Sequence, residues 1–190
     1  MKRESFQKAS QAKLPPQPDL VCVDPIVVEN TRFSKDRTHR YTLYRHWGDQ
    51  NNYCVFIGMN PSGADEAAVD RTVNRCINFA QDWGFGALYM LNAFGLRATL
   101  PAELLISADP VGPDNNYWIG EIVQQAARVV VAWGKEGGAR GRGEEVEQLL
   151  LDRCTADRVF CFGRNKDGSP KHPLYQSAKQ PLIPYFEERV

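Results

Sequence analysis

Three residues of this 190-residue chain combine chemistry with position: Asn60, Asn92 and His172 each lie in a polar loop that follows an apolar run. Asn60 stands in GMNPS, directly after YCVFI, and its carboxamide brings one carbonyl and two N–H donors. Gly58 permits a tight turn there and Pro61 stiffens the exit. Backbone amides near Ser62 or Ala64 could face a phosphate or an ordered water where the next helix starts. The plainer reading of the same residues is an ordinary strand-to-helix turn.

Asn92 directly follows ALYML, where a neutral amide can pair in two directions with the edge of a base or an amide-bearing ligand. Phe94 offers a stacking face, and Arg97 with Thr99 could hold a phosphate. A turn asparagine, a core phenylalanine and a helix-capping threonine would explain this stretch equally well. His172, in GRNKDGSPKHPLY, is the one histidine outside the segment holding His39 and His46. A lone loop histidine is commonly a surface residue; its place after the last apolar run, beside the Asn60 and Asn92 loops, is what singles it out. Trp133, Gly134 and Lys135 open the fourth loop, WGKEGGARGRG, whose glycines would let backbone approach a polyanion. It contains no Walker motif, and its glycines lie too far from the strand for a dinucleotide fingerprint; a solvated loop is the alternative.

Something must bring these loops together, and the apolar runs predict it. YCVFI (53–57), ALYML (87–91), RVVVAW (128–133) and RVFCF (158–162) read as buried strands of a parallel sheet, and polar loops at the carboxyl ends of such strands are where open α/β folds bind ligands. Helical spacing of Val69, Val73, Ile77, Ala80 and Trp83 predicts a helix over 65–83, ended by Gly84 and Gly86. Asp65, Asp70 and Arg71 lie at its beginning, either facing substrate or offsetting the helix dipole. A short helix in LPAELLISA, one from Asp114 or Asn115, and one over 144–152 complete the set. Residues 30–48 read as a hairpin or edge strand, with Arg40, Arg45 and His46 blunting the edge. The expected fold is therefore α/β, with a central, mostly parallel four-stranded sheet, helices on both faces and an N-terminal hairpin. Residues 1–19 read as a flexible tail and 20–190 as a single domain.

With 23 basic and 23 acidic residues there is no global field to attract nucleic acid, so such a partner would have to be held by local basic loops. Five cysteines without a C-x-x-C pair read as reduced, buried thiols. No segment resembles a signal peptide or a membrane span, so a cytoplasmic protein with no membrane partner is expected. Three histidines without metal-ligand spacing imply no metal, and no organic cofactor is indicated.

Taken together, GMNPSGADEAAVDRTVNRCINFAQDWGFGALYMLNAFGLRAT, ADPVGPDNNYWI, VVVAWG and GRNKDGSPKHPLY resemble the DUF1643 family over about residues 30 to 190, a family of bacterial and phage proteins without an established activity. More distantly, G-x-N-P, then L-N-A after a strand, then apolar-W-G, then H-P-L resembles the uracil-DNA glycosylase superfamily. That resemblance implies a three-layer glycosylase-like fold, with Asn60 positioning the attacking water, Asn92 reading a flipped pyrimidine and His172 stabilising the departing base. Leu174 or Tyr175 would lie where that superfamily wedges a side chain into the duplex. Asn60 matches the G-x-N-P branch, in which water is oriented but not deprotonated by this residue, and the last motif is HPLY where the superfamily has HPSPLS. The implied ligand is a nucleobase in DNA or in a nucleotide. An enzyme acting on a free nucleoside, nucleotide or modified base, and a non-catalytic nucleic-acid or nucleotide-binding module, remain the alternatives.

Overall fold

The computed structural model describes residues 31–62 and 70–186. Among these, strands β1 (Arg32–Phe33), β2 (Arg40–His46), β3 (Tyr53–Gly58), β4 (Ala87–Asn92), β5 (Arg128–Val131), β6 (Val159–Cys161) and β7 (Ile183–Pro184) form one sheet in the order β1-β2-β4-β3-β5-β6-β7. Four helices accompany them: α1 (Arg71–Asp82), α2 (Pro101–Ile106), α3 (Asn115–Gln125) and α4 (Arg142–Arg153). Residues 1–19, and the expected helical start at 65–69, lie outside the described residues.

The four expected strands are all present and mutually parallel, in the order β4-β3-β5-β6. Being covered on both faces they are apolar throughout, as parallel strands must be. Alternation along β3 sends Cys54 and Phe56 into a core beneath α1, with Val73, Cys76, Phe79 and Ala80. Val55 and Ile57 face the other core, with Ile119, Ile122 and Val123 of α3 and Val146 and Leu150 of α4. Cys54, Cys76, Cys154 and Cys161 are buried free thiols, and burial pushes that of Cys54 up to about 12; Cys22 lies outside the described residues.

The sheet is larger than four strands. Residues 32–46 do form a hairpin, but β2 is an interior strand, paired antiparallel with both β1 and β4. Its tyrosines explain the difference: Tyr41 and Tyr44 are buried, and the Tyr44 ring lies 4.6 Å from that of Tyr89 on β4. The basic residues had suggested an exposed edge, yet Arg40 is itself buried. At the far side the two-residue β7 pairs antiparallel with β6 and ends in Pro184, which an edge strand tolerates.

Asp70 begins α1, its side chain accepting from Thr72 N at 2.7 Å and Val73 N at 3.2 Å. The helix ends in a Schellman turn: Gly84 at φ +81° donates to Gln81 O while Phe85 donates to Ala80 O. From β3 the chain crosses to β4 on one side and later returns to β5 on the other, so the connections diverge at the carboxyl end of β3. That reversal opens a crevice between loops.

Candidate functional site

A pocket of about 680 Å³ occupies this crevice. Gly58 and Asn92 are partners in the β3–β4 register, and the loops beyond them are laced together: Ala93 N donates to Gly58 O, Phe94 N to Met59 O and Ala98 N to Pro61 O. A Cβ at position 58 would come 3.0 Å from Asn92 Oδ1, so glycine there leaves the asparagine its room.

Asn60, Asn92 and His172 all line the pocket, although 112 positions separate the first from the last. Asn60 directs Nδ2 at Pro61 O (2.9 Å) and Ala98 O (2.8 Å). Two carbonyls can be satisfied only by the NH2 group, which fixes the amide orientation and leaves Oδ1 as its acceptor. Asn92 is 6 % exposed, and its carboxamide makes no hydrogen bond among the described residues. Its amide atoms are not fully buried and keep access to the pocket, where water or a ligand can serve them.

His172 accepts from Leu174 N through Nδ1 at 3.3 Å. The neutral ring must then carry its proton on Nε2, a donor of fixed position. Burial pushes the imidazole pKa below its ordinary value, and the nearby Asp70 carboxylate opposes that shift. The HPLY segment, a 3-10 turn at Pro173–Tyr175, is anchored to α1 where Arg75 Nη2 donates to Gln176 O at 2.6 Å.

Of the other anticipated contacts, Gly58, Ser62, Trp133, Gly134, Lys135 and Tyr175 also line the pocket, whereas Pro61, Phe94, Arg97 and Leu174 do not. Phe94 is 2 % exposed within the core under α3, so it cannot present a face to a ligand. Arg97 lies over the buried Phe33 ring and donates to Arg37 O. Tyr175, 81 % exposed, stands at the mouth.

Sequence reasoning missed Arg40 and Lys171 in the lining, and it left Asp70 open between substrate and helix cap. Nothing local marks Arg40, whose burial follows from β2 lying inside the sheet; Lys171 is legible as the neighbour of His172. The Gly-rich loop also behaves unexpectedly. Glu136–Gly141 is a 3-10 segment, and Arg142, the first residue of α4, is 2 % exposed with Nε on Ala93 O, Nη2 on Asn116 Oδ1 at 2.6 Å and Nη1 on Glu145 at 2.7 Å. Asn115, fully buried, donates to Asn92 O and Ala93 O. Together Arg142 and Asn115 pin the turn that carries Asn92.

The sequence matches the DUF1643 model, described as a protein of unknown function, over residues 40–174. The chain belongs to the DUF1643 family. This DUF1643 match runs from β2 into the HPLY turn and so includes Asn60, Asn92 and His172. No curated protein and no solved structure matches the chain. No helix among the described residues is long and apolar enough to cross a membrane.

Asp70 links helix and pocket, and two substitutions separate its roles. Asp70→Ala is expected to lower stability by about 1 kcal/mol in urea unfolding, the usual cost of losing a cap. Asp70→Asn keeps a capping acceptor and should unfold within a few tenths of a kcal/mol of wild type. Removing the charge should nonetheless drop the His172 pKa further, read by NMR titration; an unchanged pKa would mean the two groups do not communicate.

Proposed function

We propose that this pocket binds a nucleobase and hydrolyses its N-glycosidic bond. The four parallel strands with helices packed on opposite faces are what a three-layer, uracil-DNA-glycosylase-like architecture requires. One observation carries the reading: an oriented acceptor (Asn60 Oδ1), an amide open to the pocket (Asn92) and a neutral ring donor (His172 Nε2) border the same cavity at the reversal point of the sheet.

Breaking the glycosidic bond develops positive charge on the sugar and negative charge on the base. Asn92 pairs with the base edge in a desolvated setting, where each hydrogen bond discriminates strongly. His172 Nε2–H donates to the base oxygen on which negative charge appears. Asn60 Oδ1 orients the water that attacks C1′. Its carboxamide cannot take a proton, but the Asp70 carboxylate lines the same pocket and can. Water oxygen joins C1′, the C1′–N bond breaks with its electron pair leaving on the base, and the proton released by water finally reaches the base. The products are a free base and a sugar bearing an anomeric hydroxyl.

The test offers duplex and single-stranded oligonucleotides bearing uracil, hydroxymethyluracil, hypoxanthine or mismatched thymine, together with the corresponding nucleosides and nucleotides. Abasic sites and free base are then measured. Release of one base, reduced by Asn60→Ala and by Asp70→Asn, is the expected result. Binding without release from any substrate would leave a nucleobase-binding module, and neither binding nor release would end the reading altogether.

A further inference from the structure

We infer that Arg75 is a positioning residue: from behind the pocket wall it holds the HPLY turn against α1, and so keeps Nδ1 of His172 engaged as an acceptor and leaves Nε2 to carry the ring proton. The inference rests on the reading of His172 as the donor to the leaving base, and it adds the group that keeps the ring in place.

The connection runs through four residues. Arg75 Nη2 donates to Gln176 O at 2.6 Å, across 101 positions of sequence, and a charged donor makes such a bond about twice as strong as a neutral one. Gln176 passes the restraint on: its Nε2 donates to His172 O at 3.1 Å and its main-chain N–H to Pro173 O at 3.1 Å. Within the turn so closed, Leu174 N donates to His172 Nδ1 at 3.3 Å. That bond is long, and a slight opening of the turn would break it. A neutral imidazole released at Nδ1 can place its proton on either nitrogen.

The guanidinium is itself held in place. It lies over the Phe79 ring, 4.6 Å from the centroid, four residues on along the same helix. Its Nε is buried without a hydrogen-bond partner, so keeping the group here costs desolvation that a solvated surface contact would avoid. The same helix begins at Asp70, whose carboxylate caps it and borders the pocket. One rigid element therefore carries both that carboxylate and the arm that grips the histidine's turn. Arg75 is not among the described lining residues. The charged and titratable groups that share the pocket with His172 are Arg40 from β2, Asp70 from α1, Lys135 and Glu136 after β5, and Lys171 and Tyr175 on either side of it. Arg75 acts through the turn and not on a ligand.

Nitrogen NMR of the His172 imidazole and its pH titration test this, with turnover measured beside them. Wild type should show the Nε2–H tautomer. Arg75→Met should raise the share of the Nδ1–H tautomer and move the His172 pKa up toward its ordinary value, because the freed ring loses burial. Arg75→Lys keeps a charged donor and should restore the wild-type signature in part. Val146→Ala, in the core on the opposite face of the sheet, should destabilise the protein without moving either reading. Should Arg75→Met fail to fold, Arg75→Gln, whose shorter side chain falls short of Gln176 O, carries the same expectation. For whichever base is released, kcat of the Met variant should fall about tenfold with KM within about twofold, since the donor is misplaced and Asn92 is held by other residues. An unchanged tautomer and pKa in Arg75→Met would overturn the inference, as would an equal change in Val146→Ala. The expected NMR changes with no base released by any of the proteins, wild type included, would leave Arg75 as the positioning residue and sink the hydrolytic reading alone.

Discussion

His172→Ala lowers base release by about 10² to 10³-fold while the protein stays folded, because it removes the imidazole donor proposed to face the leaving base. Losses of that size accompany deletion of a single preorganised donor to a developing anion. His172→Gln, whose amide can still donate, should recover part of the rate, whereas a purely structural histidine would show no such ordering. The acid side of the profile follows from the same geometry. Nδ1 accepts from Leu174 N, so protonating it sets two donors against each other, and burial already favours the neutral ring. The folded-state pKa thus lies below the ordinary 6.5. Between those two values the unfolded chain binds more protons than the folded one, and stability declines as pH falls through that interval. Above pH 7.5 or so this contribution is constant. Urea midpoints of wild type and His172→Gln, compared from pH 8 to pH 5, should diverge only on the acid side, with wild type falling further. Parallel curves would show that His172 is not held neutral.

Arg142→Met costs about 3 kcal/mol of stability, the larger of the two structural effects foreseen. The buried guanidinium satisfies the Ala93 carbonyl, the Asn116 amide oxygen and the Glu145 carboxylate at once, and methionine can replace only its volume. Asn116 and Glu145 are exposed to water, so the cost falls on the buried Ala93 carbonyl, and a group left without its donor in such a setting costs about 1–3 kcal/mol. At this chain length the melting temperature should fall by roughly 6–12 °C. Arg142→Lys should recover less than half of the loss, since one ammonium cannot reach three divergent acceptors. Ligand binding should weaken in both variants, because the Ala93 carbonyl belongs to the turn that presents Asn92. A stability change below about 1 kcal/mol would demote Arg142 from strut to surface residue.

The parallel core was legible because a strand covered on both faces must be apolar along its length, and YCVFIG, ALYMLN, RVVV and VFC each carry that mark. The helix α1 was legible from the spacing of Val73, Ile77, Ala80 and Trp83, and its end from Gly84. Strand β2 was misjudged because RYTLYRH mixes basic, aromatic and β-branched residues, and local pattern cannot tell an exposed edge from an interior strand whose partner covers it. Phe94 was left open between a stacking face and a core residue, because an aromatic beside a loop asparagine looks alike either way, and it proves to be core.

From the amino-acid sequence alone came the four central strands, the loops at their carboxyl ends and the asparagines and histidine those loops bear, since each follows from local composition and spacing. Tertiary structure alone decided that Asn60 spends its NH2 group on two carbonyls, that His172 accepts at Nδ1, that Arg40 enters the pocket wall and that Arg142 braces the Asn92 turn. These depend on contacts between residues many positions apart, and no local pattern encodes which backbone carbonyl a distant side chain will meet.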